Sequence, residues 1–313
     1  MSLPAAPSSP LRKGEPLYGT YSGCCESTAL DHGSRRDSLR REKHWQYFAV
    51  ADESIAVGGA IVDATLFATA FCWVLERSTG RLIADHSRLL PGLAVSLSET
   101  PHRGTVARTR GLRRSVQISR RDATVRIDGR MGPVDLALTI EAPPERAVTA
   151  VCPVTDGPGP NVTQKEVSVA AGGTVTVDGR THRIEDGLAL LDHTHGLLAR
   201  TTSWRWGFGV GRRDGEPVGF NLVSEFNDGL ENACWLDGTT EALSPATLET
   251  EPWRLSADAV DLELAVEGER REDVDAGLLS SRYRQPIGTW SGEIRGLEVE
   301  EWFGVAEVHE SRW

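Results

Sequence analysis

Residues 134–141 read VDLALTIE, and this stretch decides the fold. Val134, Leu136, Leu138 and Ile140 are apolar, and the residues between them are polar or small. Successive side chains on a strand point to opposite faces, so period two places all four on one side. Wound as a helix, the same residues would carry polar groups onto the buried face. Working outward, Val167/Val169 and Val175/Val177 repeat the pattern around Gly172-Gly173, and Leu262, Leu264 and Val266 repeat it again. Asp-Gly occurs at Asp128, Asp156, Asp178, Asp186, Asp214, Asp228 and Asp237. Glycine there permits the positive φ of tight hairpins. Short alternating runs bounded by such pairs predict antiparallel strands.

Helical signals are weak. The charged run 34–44 has one apolar residue, Leu39, and predicts a solvated turn or short surface helix. Strand–helix alternation is missing, as are GxGxxG and phosphate-binding loops, which argues against Rossmann and TIM architectures and against nucleotide cofactors. The expected class is all-β: two adjoining antiparallel barrels or strongly curved sheets. With 313 residues the chain suits two domains or one large β domain. We place a disordered arm at 1–14, one β domain at 15–190 and a second at 191–313. The Pro/Gly-rich stretch 141–161 is a further candidate linker or long loop, and seven of the tryptophans follow residue 200.

A formal net charge of -11 disfavours nucleic acid, whose phosphates an acidic surface repels. No run of about 18 apolar residues predicts a membrane-spanning helix, and the first ten residues lack a signal-peptide pattern. Five scattered cysteines read as reduced thiols of a cytoplasmic protein. Oligomeric state is not legible.

Five segments carry candidate chemistry. In TTSWRWGFGVG (201–211), Trp204, Trp206 and Phe208 share a face, making a core wall or the wall of a ligand cavity. Around Glu231, Asn232 and Trp235, with Asn221 nearby, an acid beside an amide is either a proton donor with a polarising partner or a pair satisfying backbone groups at a bend. Asp192-His193-Thr194-His195 places two imidazoles on one face if extended; lacking a third ligand, this pattern reads as hydrogen bonding rather than metal binding. Glu307 and His309 repeat a carboxylate–imidazole spacing. The arginine-rich stretch 103–121 reads as a solvent-facing hairpin, with an anion site as the functional alternative.

In order, Lys43-His44-Trp45-Gln46-Tyr47, Asp192 with Gly196, Trp204-Arg205-Trp206, Gly219-Phe220-Asn221, Glu231-Asn232, Asp237-Gly238, Pro252-Trp253, and Gly304, Glu307, His309 and Trp313 resemble the family of domain of unknown function 2804. The likeness covers about residues 15–313. That family is distantly similar to tandem lipocalin-like proteins, among them carotenoid 1,2-hydratases and lipocalin-like cyclases. The resemblance implies two β-barrels and a cofactor-independent site for an apolar small molecule. The His193-x-His195 pair departs from that pattern.

Three functions follow. The first is a lyase- or isomerase-type enzyme that hydrates, cyclises or isomerises an apolar unsaturated substrate in a barrel cavity. Its catalytic groups are Glu231, His195 and Asp192, and its binding groups are Trp204, Trp206, Asn221, Asn232, Trp235 and His309. The second is a carrier of a lipid or isoprenoid. The third is a module with filled cores, which would leave no space larger than a few waters near Trp204 and Glu231.

Overall fold

The computed structural model describes residues 3–31, 39–111, 115–275, 277 and 280–312. The alternating segments are strands: Val134–Glu141 pairs with Asn161–Val177, and Val260–Asp275 with Ser280–Ile294. Asp178-Gly179, Asp214-Gly215 and Asp237-Gly238 each have both φ values positive and close two-residue hairpins. This is the turn geometry that matches strand twist. Asp128-Gly129 and Asp186-Gly187 lie inside strands instead.

The strands form two large sheets. The first runs Arg81–Pro91, Phe67–Glu76, Ile55–Asp63, Glu42–Ala51, Arg180–Leu197, Asn161–Val177, Val134–Glu141, Thr124–Met131, Val116–Arg121, Gly104–Thr109, Val95–Leu97. It curls until Val95–Leu97 returns beside Ile55–Asp63, giving a nearly closed barrel. The second has nine strands around the central pair Thr201–Arg213 and Leu297–Arg312 and forms a half-barrel. The chain passes between sheets after Leu197, a few residues beyond the division placed at 190.

Residues 3–14, expected as a disordered arm, lie against the first sheet. The Ala6 amide donates to Ser22 O at 2.8 Å, and Leu3 packs on the core between the sheets. Of the charged run 34–44, residues 34–38 fall outside the described residues, 39–41 are helical, and Glu42 begins a strand. The arginine-rich stretch is a hairpin, Gly104–Thr109 with Val116–Arg121. Arg113 and Arg114 lie outside the described residues. Arg120 turns inward and pairs with buried Glu166 at 2.7 Å, whereas Arg103, Arg108, Arg110 and Arg121 are exposed.

Alternation splits most of the apolar residues into three large clusters, beside a small one of Leu30, Val162 and Leu197. One fills the first barrel and includes Phe48, Val50, Leu136, Leu138 and Ile140. Another fills the half-barrel with Phe220, Leu255, Leu262, Trp290 and Trp302. The third occupies the seam between the sheets, where Tyr47, Phe71, Trp73 and Leu190 meet Trp206, Phe208, Trp235 and Phe303. Glycines in the central strand of the half-barrel permit close packing: a Cβ at Gly209 would run into the Phe220 ring, and one at Gly211 into Trp302. Arg77–Glu267 and Arg270–Asp85 pair across the seam at 3.1 and 3.0 Å, and Trp235 Nε1 donates to Arg146 O at 2.7 Å. All five cysteine thiols are free. No helix among the described residues is long and apolar enough to cross a membrane.

Candidate active site in the seam between the sheets

Both barrel interiors are packed, and the hollow lies between them. In the first barrel the space beside His193 and Gln46 is about 10 Å³, room for one water at most. The seam holds a cavity of about 190 Å³. At roughly 10–15 Å³ per water this accommodates a small organic molecule, which overturns the reading as a module with filled cores. Phe71, Trp45 and Tyr47 of the first sheet face Trp204, Trp206 and Phe226 of the second across it. Leu89, Val274 and Arg312 mark its mouth. The cavity is therefore built by the outer faces of the barrel and the half-barrel, whereas the sequence reading placed it inside a barrel.

The Trp204, Trp206, Phe208 face holds as expected. Trp204 stacks on Trp45 with centroids 5.9 Å apart and meets His309 edge-on at 4.3 Å; Tyr47 meets Trp206 edge-on at 5.5 Å. These rings present both π faces and edges to whatever fills the space.

Two polar clusters break the aromatic wall. At the first, Lys165 Nζ sits 2.7 Å from Asp192 Oδ2 and 2.9 Å from Glu231 Oε2, all three buried. Register explains the first contact, since Lys165 and Asp192 are cross-strand partners in the first sheet. Glu231 comes from the second sheet's side, where Asn227 Nδ2 donates to its Oε1 at 2.6 Å. Thr163 Oγ1 donates to Glu231 at 3.4 Å, and Thr194 Oγ1 to Asp192 at 3.2 Å. Burial opposes the Lys165 charge, but the two carboxylates outweigh it and hold its pKa above the ordinary 10.5. The ammonium also lies 5.5 Å from the Trp206 ring centre.

At the second cluster, Glu307 accepts from Trp204 Nε1 at 2.7 Å, Tyr283 Oη at 2.7 Å and Gln285 Nε2 at 2.8 Å. These donors are neutral, and none of the described cations forms an ion pair with Glu307. Burial pushes its pKa up; the three hydrogen bonds lower it only in part, and Asp192 pushes it further up. Burial likewise holds Tyr47 and Tyr283 well above the usual phenol value, so both remain donors. Burial, with Arg270 nearby, lowers His309 to about 3, so its imidazole is neutral; its Nε2 contacts Ser281 and Ser311 at 2.9 and 2.7 Å. Arg270 stacks between Phe71 and Tyr283, with its Cζ 4.3 and 4.9 Å from their centres.

The nominated residues thus divide. Asp192, Glu231, Trp204, Trp206 and His309 line the cavity. His195 does not: on strand Arg180–Leu197 the even positions Leu190, Asp192 and Thr194 face the seam, and the odd positions Leu191, His193 and His195 face the first barrel's interior. There His195 bridges Thr28 O and Glu42 Oε1, both at 2.9 Å, and stacks on His44. Asn232 is a backbone brace, accepting from Val223 N at 2.7 Å. Asn221 stands behind the wall, accepting from Trp206 Nε1 at 2.8 Å. Trp235 is core. Among the described residues no group of three or more His, Cys, Asp or Glu is arranged to hold a metal ion. Sequence reasoning missed Lys165, Tyr47 and Tyr283 and gave Glu307 no role. The available signal was polar Thr163 and Lys165 at alternate positions leading into Val167 on one strand.

The family described as Domain of unknown function (DUF2804) matches residues 18–313. No curated protein matches the chain. Among solved structures, kievitone hydratase from Nectria haematococca is similar at a TM-score of 0.56 and 12% identity, over 95% of this chain and 98% of that one. CghA with Sch210972 is similar at 0.54 and 11%, over 95% of this chain and 99% of that one. At such identities the likeness concerns the fold.

Proposed function

The chain belongs to the domain of unknown function 2804 family, and from that premise we propose that it is a cofactor-independent lyase or isomerase, working in the cytoplasm on an apolar unsaturated small molecule held in the seam. One observation carries this reading. A single aromatic-walled cavity brings together two carboxylate environments of opposite character. Glu307 is buried among neutral donors and inclined to hold a proton. Asp192 and Glu231 are paired with an ammonium. A carboxyl raised by burial suits the role of acid, and a carboxylate held beside an ammonium suits the role of base.

Glu307 is the proton donor in this scheme. Its proton adds to one alkene carbon, and positive charge develops on the neighbouring one. The faces of Trp204 and Trp206 stabilise that charge, by about 0.5–2 kcal/mol each. Asp192 then removes a proton from the adjacent carbon, which gives isomerisation; attack by water or by a nucleophile of the substrate gives hydration or cyclisation. Glu231, ion-paired with Lys165, holds the positive side of the site rather than donating the proton. The sequence-level assignment of the acid to Glu231 therefore moves to Glu307. Support for the class also comes from the fold, which kievitone hydratase shares.

Glu307→Gln keeps the shape of the side chain and removes the proton; its one amide oxygen still accepts from Tyr283 and Gln285, and the bond from Trp204 Nε1 is given up. We expect turnover of a polyene or terpenoid substrate, found by screening, to fall by about 10²–10⁴-fold with KM little changed. Full activity in this variant would refute the assignment.

The apolar character of the wall favours a second reading, a carrier that holds its ligand unchanged. Native mass spectrometry separates the two: a ligand carried unaltered through purification and incubation identifies a carrier, and its conversion identifies an enzyme.

A further inference from the structure

Seven large apolar side chains stand exposed among the described residues: Tyr18, Leu39, Leu66, Leu89, Leu93, Val266 and Val274. Two of them, Leu89 and Val274, line the cavity, and Leu66 precedes the lining residue Phe67. Leu66 is 69% exposed and Leu93 87%. Their two turns touch, since the Gly92 amide donates to Leu66 O at 3.2 Å and a Cβ on Gly92 would collide with Thr65 O. Leu89, 68% exposed, precedes Leu93 on the same edge and lines the cavity with Phe67. Thr65 Oγ1 donates to Glu42 O at 3.0 Å, which sets the helical turn at 39–41, with exposed Leu39, beside the same corner. Val274 lines the cavity as well.

Cations border this lip. Arg40, Arg88 and Arg110 are exposed, and Arg110 Nη1 reaches Leu93 O at 3.4 Å. None of the three is ion-paired with a carboxylate among the described residues. Of the acids on the first-sheet side, Glu42 pairs with His195, and Asp63 accepts from the Thr65 amide at 2.7 Å; on the opposite rim Asp273 and Asp275 stand exposed beside Val274. On a chain of net charge -11, a corner combining bare leucines with available guanidinium groups has a specific chemistry. Apolar side chains enter the acyl boundary of a membrane while arginines meet its phosphates.

We propose that this lip docks peripherally on an anionic phospholipid bilayer and that the cavity is loaded from it. The docking stands on the surface alone; the loading rests on the cavity taking an apolar molecule, as argued above. A bilayer concentrates such molecules, and the mouth opens among the residues that would be inserted.

The full-length protein is sedimented with vesicles of phosphatidylcholine alone and of an equal mixture with phosphatidylglycerol. The mixture binds it, plain phosphatidylcholine binds it less, and salt weakens the binding. L66E/L93E, which leaves the cavity lining intact, loses about ten-fold in partitioning per leucine. R88E/R110E loses about five-fold per arginine on the mixture. Unchanged melting temperatures show that both variants remain folded. Absent binding to the mixture overturns the proposal, as does equal binding by L66E/L93E. Dimerisation of the wild type in gel filtration, abolished in L66E/L93E, also overturns it and assigns the lip to a second copy of the chain. No substrate is present, so these outcomes and those of the Glu307→Gln assay fail independently.

Discussion

Removing the ammonium from the seam should be the most damaging single change in the cavity. Lys165→Met keeps the length of the side chain but leaves Asp192 and Glu231, both buried, facing each other without their common partner. Deleting one member of a buried ionic group costs about 3–5 kcal/mol, because the remaining charges can neither pair nor return to water. The unfolding entropy of about 2.1 cal/mol/K per residue, taken over 313 residues, converts this into a fall in Tm of roughly 5–8 °C. The Lys165 pKa lies above the ordinary 10.5. A raised base keeps its stabilising contribution at every pH below its unfolded value and loses it only as pH rises through the folded one. The deficit should therefore be fully visible at neutral pH. Urea unfolding followed by tryptophan fluorescence measures it directly. A second variant, K165M/D192N/E231Q, removes all three charges and should recover most of the loss, since Asn227, Thr163 and Thr194 still have amide partners. If K165M unfolds within about 1 kcal/mol of wild type, or if the triple variant is no better than the single, the three groups do not form a mutually dependent buried cluster and the account of the site fails.

Acid should destabilise the protein below about pH 6.5. Burial lowers His193 and His309 to about 3, so the unfolded chain binds more protons, and each contributes up to ~4–5 kcal/mol that is lost as pH falls from 6.5 towards 3. Thermal melts should show the decline, and His309→Gln should soften it. Glu307 acts in the opposite direction: as an acid with a raised pKa it makes the folded state less stable as pH rises above 4.5. Glu307→Gln removes this opposing effect and should steepen the gain in stability on raising pH from 4.5 to 6.5. Gly304→Ala should cost about 1–3 kcal/mol by overpacking, because a Cβ there would meet the Phe208 carbonyl oxygen and the Trp290 ring; a melting temperature equal to wild type would contradict the close contact of the two central strands.

Strand identity was legible because half-buried strands alternate, and hairpins such as 178–179 require residues that accept positive φ. Trp204, Trp206, Asp192, Glu231 and His309 were legible as cavity candidates because aromatic and acidic residues interrupt otherwise apolar or small stretches. His195 was not separable from Asp192, because strand Arg180–Leu197 is buried on both faces over its second half and shows no contrast between them. Period two still sorted the side chains, but nothing local says which parity meets the other sheet. Lys165 was invisible for a related reason. Its meaning depends on a carboxylate 27 positions away on the paired strand and another beyond the domain crossing. Likewise Glu231 and Asn232 are sequence neighbours, yet one enters the cavity and the other braces a backbone.

The two filled interiors and the hollow seam have a consequence for how this architecture changes over time. Folding cohesion is vested in Leu138, Ile140, Leu255, Leu262 and their neighbours, which never meet the ligand space. Chemistry is vested in other side chains, and where one strand serves both, as with Leu191 against Asp192 and Thr194, they stand on opposite faces. Drift can therefore rewrite the reactive surface while the load of holding each shell together stays with a separate set of side chains, and a shared shape need carry no shared substrate.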